Sequence, residues 1–343
     1  MIGDPLPKAL SGLRLPAVAA PLFIISTPDL VIAQCKAGVI GSFPALNARQ
    51  KDGEPNMLEI WLERITEELD RHNQANPDTP AAPFAVNQIV HRSNERLQND
   101  IEICAKWKVP IWITSLGARV EVNQAAHSCD GVVLHDIINN RFAKKAIEKG
   151  ADGLIAVAAG AGGHAGSLSP LALISEIRQW FNGPLLLSGS IATGRSILAA
   201  QAMGADLAYL GTRFINTQEC QSPDDYKQMI IDSRFDDIVA TPAVSGVNAN
   251  FLTASLDNAG VDLDAPNENG LIDIDKELAE ALTSSSNEFK AWRDIWSAGH
   301  GVGSISDIPP VADLVNRLHG EYLTACSAQQ DRLAALRPMG VTV

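Results

Sequence analysis

The 343-residue chain lacks a continuous apolar stretch of the roughly 20 residues needed to span a bilayer. Met1 to Leu15 also lacks the charged, apolar and small-residue zones of a secretory signal. Its five cysteines (Cys35, Cys104, Cys129, Cys220 and Cys326) are odd in number and scattered, with no C-x-x-C pair. That excludes a disulfide framework and a structural zinc site of the usual spacing, and predicts a reducing cytoplasm. Cys35 and Cys104 fall on apolar helix faces and are expected in the core. Basic charge is short as well. A formal net charge of −13 argues against nucleic acid or an anionic membrane as partner. An anionic small substrate stays open, because the field within a cleft can oppose the net charge. Internal repeats and low-complexity tracts are absent. The acidic stretch Asp262 to Glu280 reads as solvated surface, since the EF-hand spacing would put Ala265 and Lys276 at ligand positions. No metal site is expected.

What is present is alternation. Apolar runs at Pro16–Ala20, Val39–Ser42, Phe84–Ile89, Pro110–Thr114, Gly131–Leu134, Gly153–Val157, Pro184–Leu187 and Leu207–Leu210 read as strands. Between them Thr27–Lys36, Met57–Arg71, Ser93–Trp107, Val120–Ser128, Asn140–Lys149, Pro170–Phe181 and Thr193–Met203 read as helices. On Asn140–Lys149, Phe142, Ala146 and Ile147 form the apolar face, and Gly150 ends the helix. Eight strands alternating with helices imply parallel strands joined by right-handed crossovers. The rival is an open doubly wound sheet, whose glycine fingerprint belongs at the first βα turn. That turn reads Ala20-Pro21-Leu22. The α/β class with a (β/α)8 barrel over residues 1–214 is therefore expected. Residues 215–300 are predicted as a helical substrate or cap domain, and 301–343 as a helical segment returning to the barrel.

The glycine loops fall late. Ala158-Ala159-Gly160-Ala161-Gly162-Gly163-His164-Ala165-Gly166 follows the sixth strand, Ser188 to Gly194 the seventh, and Leu210-Gly211-Thr212-Arg213-Phe214 the eighth. The ends of strands seven and eight are where such barrels hold phosphate. The helix from Thr193 onward would offer N–H groups to an anion, and Thr212 a hydroxyl. Tight βα turns favour Gly and Thr too, so each loop alone is ambiguous. His164, flanked by glycines, is the candidate reactive side chain, though it could instead bond a loop carbonyl. His135 ends the fifth strand and faces the same end of the barrel. His72, His91, His127 and His319 sit in polar or helical contexts and are read as structural.

These loops resemble a known family. Ala159 to Gly166 is similar to the A-G-G-H-x-G signature of the nitronate monooxygenases, formerly 2-nitropropane dioxygenases. Gly189 to Arg195, Met203-Gly204-Ala205-Asp206 and Gly211 to Phe214 follow that family's phosphate-binding half in order and spacing. Ala20-Pro21-Leu22, Val86-Asn87 and Ser297 to Gly303 extend the likeness over about residues 16 to 325. The resemblance implies an FMN-dependent barrel. Pro21, Leu22 and Asn87 would lie near the isoalloxazine through backbone and side chain, and Gly162 and Gly163 would approach it. Gly189, Ser190, Gly211 and Thr212 would hold the phosphate, with His164 as catalytic base and His135 and His300 near the substrate. The implied reaction is oxidation of an alkyl nitronate by O2 to a carbonyl compound and nitrite, with His164 as base toward neutral nitroalkanes if unprotonated or as a nitronate-stabilising group if protonated. A homodimer is an expectation from the class. Relatives of the same architecture include NAD(P)H:quinone and enoyl-thioester reductases, which form the alternative. A flavin-less barrel binding a phosphorylated metabolite is a third reading. Leu22 stands for the usual Met, Ser190 for a Gly, Asp136 for a Lys of some relatives, and Ala161 interrupts the usual E-A-G-G-H.

Overall fold

In the computed structural model, residues 4–49, 56–244, 246–263 and 293–336 are described. Eight parallel strands form the central sheet: β1 (Ala17–Ala19), β2 (Gly41–Pro44), β3 (Phe84–Ile89), β4 (Ile111–Ser115), β5 (Val132–Ile137), β6 (Gly153–Val157), β8 (Leu185–Ser188) and β9 (Leu207–Leu210). The two-residue β7 (Gly163–His164) lies outside it. Spatial order follows chain order around the sheet, and Val18 bridges Ile40 in parallel, which brings β1 against β2 and closes the barrel. Every one of the eight predicted strands is found. The period-2 geometry of a strand sends alternate side chains inward. Val18, Ile40, Ala85, Ile111, Ile113, Leu134, Ile155, Leu186, Leu207 and Tyr209 form the interior cluster, with Leu10 from the turn before β1 packed among them.

The outer layer comprises α1 (Pro28–Ala37), α2 (Met57–Ala75), α3 (Leu97–Lys106), α4 (Val120–His127), α5 (Asn140–Glu148), α6 (Pro170–Ile177) and α7 (Gly194–Met203). Local chemistry sets several ends. The Asn56 side chain accepts from Leu58 and Glu59 N–H, Asn139 from Phe142 N–H, and Thr193 with Ser196 forms a capping box. The helix after β9, α8 (Thr212–Ile215), is too short to cover the barrel. Its place is taken by α11 (Val311–Ala335), which packs against both α1 and α7. The contact with α7 is backbone on backbone: a Cβ on Gly194 would lie 2.2 Å from the Leu318 carbonyl oxygen. Cys35 and Cys104 are buried in the core, as expected.

Two expectations change. Among the described residues of 215–300 there are helices, α9 (Asp224–Asp232) and α10 (Thr253–Asn258), but also an antiparallel pair, β10 (Ile238–Thr241) and β11 (Ala249–Leu252). β11 continues onto β7, so this segment forms a three-stranded sheet with the His164 loop. The strands are four residues each, too short for periodicity to separate them from loop. On α5 the small residues Ala143 and Ala146 pack inward, while Phe142 is 44% exposed at the barrel mouth. Residues 264–292, with most of the acidic stretch, and 337–343 lie outside the described residues. Among the described residues no helix is long and apolar enough to cross a membrane.

Candidate active site

A cavity of about 740 Å³ opens at the C-terminal end of the barrel strands. Pro21, Leu22, Asn87, His135, Gly162, Gly163, His164, Gly189, Ser190, Gly211 and Thr212 all line it. His300 does not. Its ring stands edge-on to Phe235 with centroids 4.7 Å apart, and its main-chain N–H donates to the Gly160 carbonyl oxygen at 2.9 Å.

His164 reaches the cavity because β11 holds its loop. Gly163 and His164 pair with Asn250 and Ala249, and the Asn250 amide donates to the Ala161 carbonyl at 2.6 Å. Burial pushes the His164 imidazole down to about 4, which leaves it neutral at pH 7 and competent as a base. His135 is pushed down to about 4 by the same cause, and its Nδ1 sits 2.6 Å from the Thr114 hydroxyl.

The glycines of this loop serve the protein's own packing. A Cβ on Gly162 would lie 2.9 Å from Gly299 N, and one on Gly299 would lie 2.6 Å from the Gly160 oxygen. The segment around Gly299 is thus pressed onto the His164 loop, and Gly299 N–H donates to the Thr212 hydroxyl oxygen at 2.9 Å. That leaves the Thr212 hydroxyl proton free to donate to a ligand. Gly211 differs: the nearest atoms to an added Cβ are at 3.7 Å, ordinary contact. Its bareness is not required by protein packing, which fits close approach of something bound.

The N-terminus of α7 is not an anion site. Ala192 and Thr193 N–H donate to the Ser196 hydroxyl, and Gly194 N–H donates to the Glu321 carboxylate at 2.7 Å. Glu321, carried in by α11, already occupies the position the sequence suggested for phosphate. The turn at Gly189 and Ser190 remains, with Ser190 in the left-handed region at φ +57°. A non-glycine residue there costs about 1 kcal/mol or more. Ser190→Gly is expected to stabilise the fold by roughly 1 kcal/mol, read as a rise in the urea midpoint at unchanged slope. An unchanged or lower midpoint would show that the serine hydroxyl contributes more than the strain removes.

The first βα turn is clamped by a residue the sequence reading missed. Asn47, almost fully buried, accepts from Ile24 N–H at 2.8 Å and donates to the Leu22 and Ser26 carbonyls, both at 2.9 Å. Leu22 N–H is taken by the Ser26 hydroxyl at 2.9 Å. The Leu22 main chain is therefore committed internally, and only its side chain is offered to the cavity. Ile24, a β-branched residue at φ +71°, is held in the left-handed region by this clamp. Asn87 is also partly committed, its amide donating to Ile113 O at 3.1 Å and Ser115 Oγ at 2.8 Å.

Further lining residues were not legible as site residues. Tyr226 and Trp296 stack at 5.0 Å and 8° to form an aromatic wall. Ile138, Phe142 and Lys145 line the mouth from β5 and α5. Arg293 lines it as well, paired with the Asp294 carboxylate, and Asp136 is the carboxylate of the lining. No group of three or more potential metal ligands occurs among the described residues.

A sequence-family model described as "Nitronate monooxygenase" matches residues 5–321. A nitronate monooxygenase of Paraburkholderia phytofirmans is 24% identical, with 91% of this chain and 93% of that protein aligned. Among solved structures, FabK from Thermotoga maritima superposes with a TM-score of 0.77 at 23% identity, covering 95% of this chain and 97% of that one. A nitroalkane oxidase from Streptomyces ansochromogenes gives 0.71 at 23%, covering 94% and 100%. At these identities the two structures bear on the fold.

Proposed function

This chain belongs to the nitronate monooxygenase family, an oxidoreductase family, and we propose that it uses FMN to oxidise alkyl nitronates with O2, releasing a carbonyl compound and nitrite. The observation that carries this reading is the position of a neutral histidine, His164, in one cavity with the Gly189–Ser190 and Gly211–Thr212 turns.

The residues present fit the cofactor. Gly211 has room toward the cavity, and Thr212 keeps a hydroxyl proton for a phosphate oxygen. Gly189 and Ser190 complete that end, while Pro21, the Leu22 side chain, Asn87, Gly162 and Gly163 would flank the ring. FMN, when bound, supplies the electron transfer. The chain's own residues do the rest. His164 takes the α-proton of a neutral nitroalkane, for which an unprotonated imidazole is required. Lys145 draws an anionic nitronate to the mouth, and Tyr226 and Trp296 present a flat apolar face to its alkyl group.

The deciding experiment is the anaerobic visible spectrum of FMN-loaded protein as a pre-ionised nitronate is added. Prompt loss of flavin absorbance is expected. A spectrum unchanged by nitronate but bleached by NADH or NADPH would replace this reading with a reductase. Failure of the protein to retain any FMN would leave the phosphorylated-metabolite binder.

A further inference from the structure

The barrel floor beneath the cavity carries a polar chain that ends in an unused acceptor. Asn87 Nδ2 donates to Ser115 Oγ at 2.8 Å, and Ser115 Oγ donates to Asp136 Oδ2 at 2.6 Å. Asp136 Oδ1 is sequestered and meets no donor among the described residues. Neither does the hydroxyl of Tyr209, which is 6% exposed. Both residues line the cavity. Both also face the barrel interior: Tyr209 belongs to the interior cluster, and Asp136 follows the interior Leu134 by two residues on β5. Their proximity is felt electrostatically, since burial and the Asp136 charge together push the Tyr209 phenol up.

Leaving a buried carboxylate oxygen and a buried hydroxyl without partners is costly, and native proteins rarely do so without a reason. The Ser115 bond fixes the Asp136 carboxylate under the cavity lining, from where its charge acts through space on whatever is bound above. A cofactor whose phosphate was held at the ends of β8 and β9 would have this floor beneath the rest of it.

We propose that Asp136 faces the heterocyclic ring of the bound cofactor from the barrel floor and, as a carboxylate, disfavours the ring's reduction. The inference rests on the FMN reading above. Two-electron reduction with uptake of one proton leaves a negative charge on the ring, and a fixed negative charge beneath it opposes that charge. The protein then binds oxidised FMN better, relative to reduced FMN, than it would with a neutral residue at this position.

The test is the midpoint potential of FMN-loaded protein, measured anaerobically against a redox dye at pH 8. Burial pushes the Asp136 carboxyl up only to about 6, so it is ionised there. Asp136→Asn is expected to shift the reduced-to-oxidised affinity ratio toward reduced FMN by about tenfold or more, which is a rise of about 30 mV for a two-electron couple. Asp136→Ser, smaller and also neutral, gives the same reading should the asparagine variant fold poorly. Asp136→Glu, which keeps the charge, is expected to stay within about twofold of the unsubstituted protein, as is the exposed-surface control Glu148→Gln. Equal ratios in the unsubstituted protein and both neutral variants, with FMN bound to all three, would overturn the role of Asp136 and leave the FMN reading intact. Absence of FMN binding by the unsubstituted protein would overturn both.

Discussion

Replacing His164 with asparagine is expected to lower kcat/KM for a neutral nitroalkane by about 10²–10⁴, the usual contribution of a positioned general base. Oxidation of the preformed nitronate should fall by no more than about tenfold, because that substrate arrives without the α-proton. The split between the two substrates is the informative readout. Asparagine approximates the size of imidazole and keeps the β7–β11 pairing, whose hydrogen bonds are made by the main chain. The pH dependence carries a sign. Burial lowers the imidazole to about 4, so the base form is populated from pH 5 upward. The His164 contribution to kcat/KM should therefore be flat between pH 5 and 8 and decline only as pH approaches 4. A free histidine would begin to lose its base form near 6.5. A rise in kcat/KM centred at 6 to 7, after correction for ionisation of the substrate itself, would mean that the ring is not desolvated in the working enzyme. Equal losses with nitroalkane and nitronate would remove His164 from proton transfer and assign it to binding.

Substituting Asn47 by alanine should have the largest effect on the cofactor end of the site, although Asn47 is not among the residues lining the cavity. Three hydrogen bonds converge on its amide, from Ile24 N–H and to the carbonyls of Leu22 and Ser26. Each buried bond contributes about 1 kcal/mol net, and a stranded partner costs about 1–3 kcal/mol. A loss of roughly 3 kcal/mol in folding stability is expected, together with at least about tenfold weaker FMN binding. The second effect follows from strain: Ile24 sits at φ +71° only while the clamp holds it, and without the clamp the Pro21–Ile25 turn relaxes away from the cavity. Ile24→Gly in the Asn47→Ala background removes that strain and is expected to restore part of the FMN affinity without restoring the lost hydrogen bonds. Calorimetric melting and fluorescence titration with FMN separate the two effects. Unchanged melting and unchanged affinity in Asn47→Ala would show that the turn is held by other means.

The sequence by itself determined the eight parallel strands, the helices between them, and the three late glycine loops with His164. All of these depend on local periodicity, on turn chemistry within a few residues, and on a motif spacing that the match over residues 5–321 bears out. Tertiary structure decided what each motif's atoms are free to do. The α7 N-terminus looked open to phosphate, but Glu321 arrives from a helix 127 residues further along the chain and occupies it. Leu22 looked available through its main chain until Ser26 and Asn47 were seen to take both its N–H and its carbonyl. Gly162 was expected to approach a ligand, and the fold adds a second demand on its bareness, since the Gly299 segment lies against it. His300 sits in a stretch resembling a family motif, and the fold turns its ring onto Phe235. The β10–β11 hairpin is built of strands too short for periodicity to mark, and the Asp136–Tyr209 floor joins residues of two separate strands, β5 and β9, so no window of sequence carried it. Periodicity reports which face of an element is buried; which polar atoms remain unpaired is a sum over every neighbour, and that sum exists only once the chain is folded.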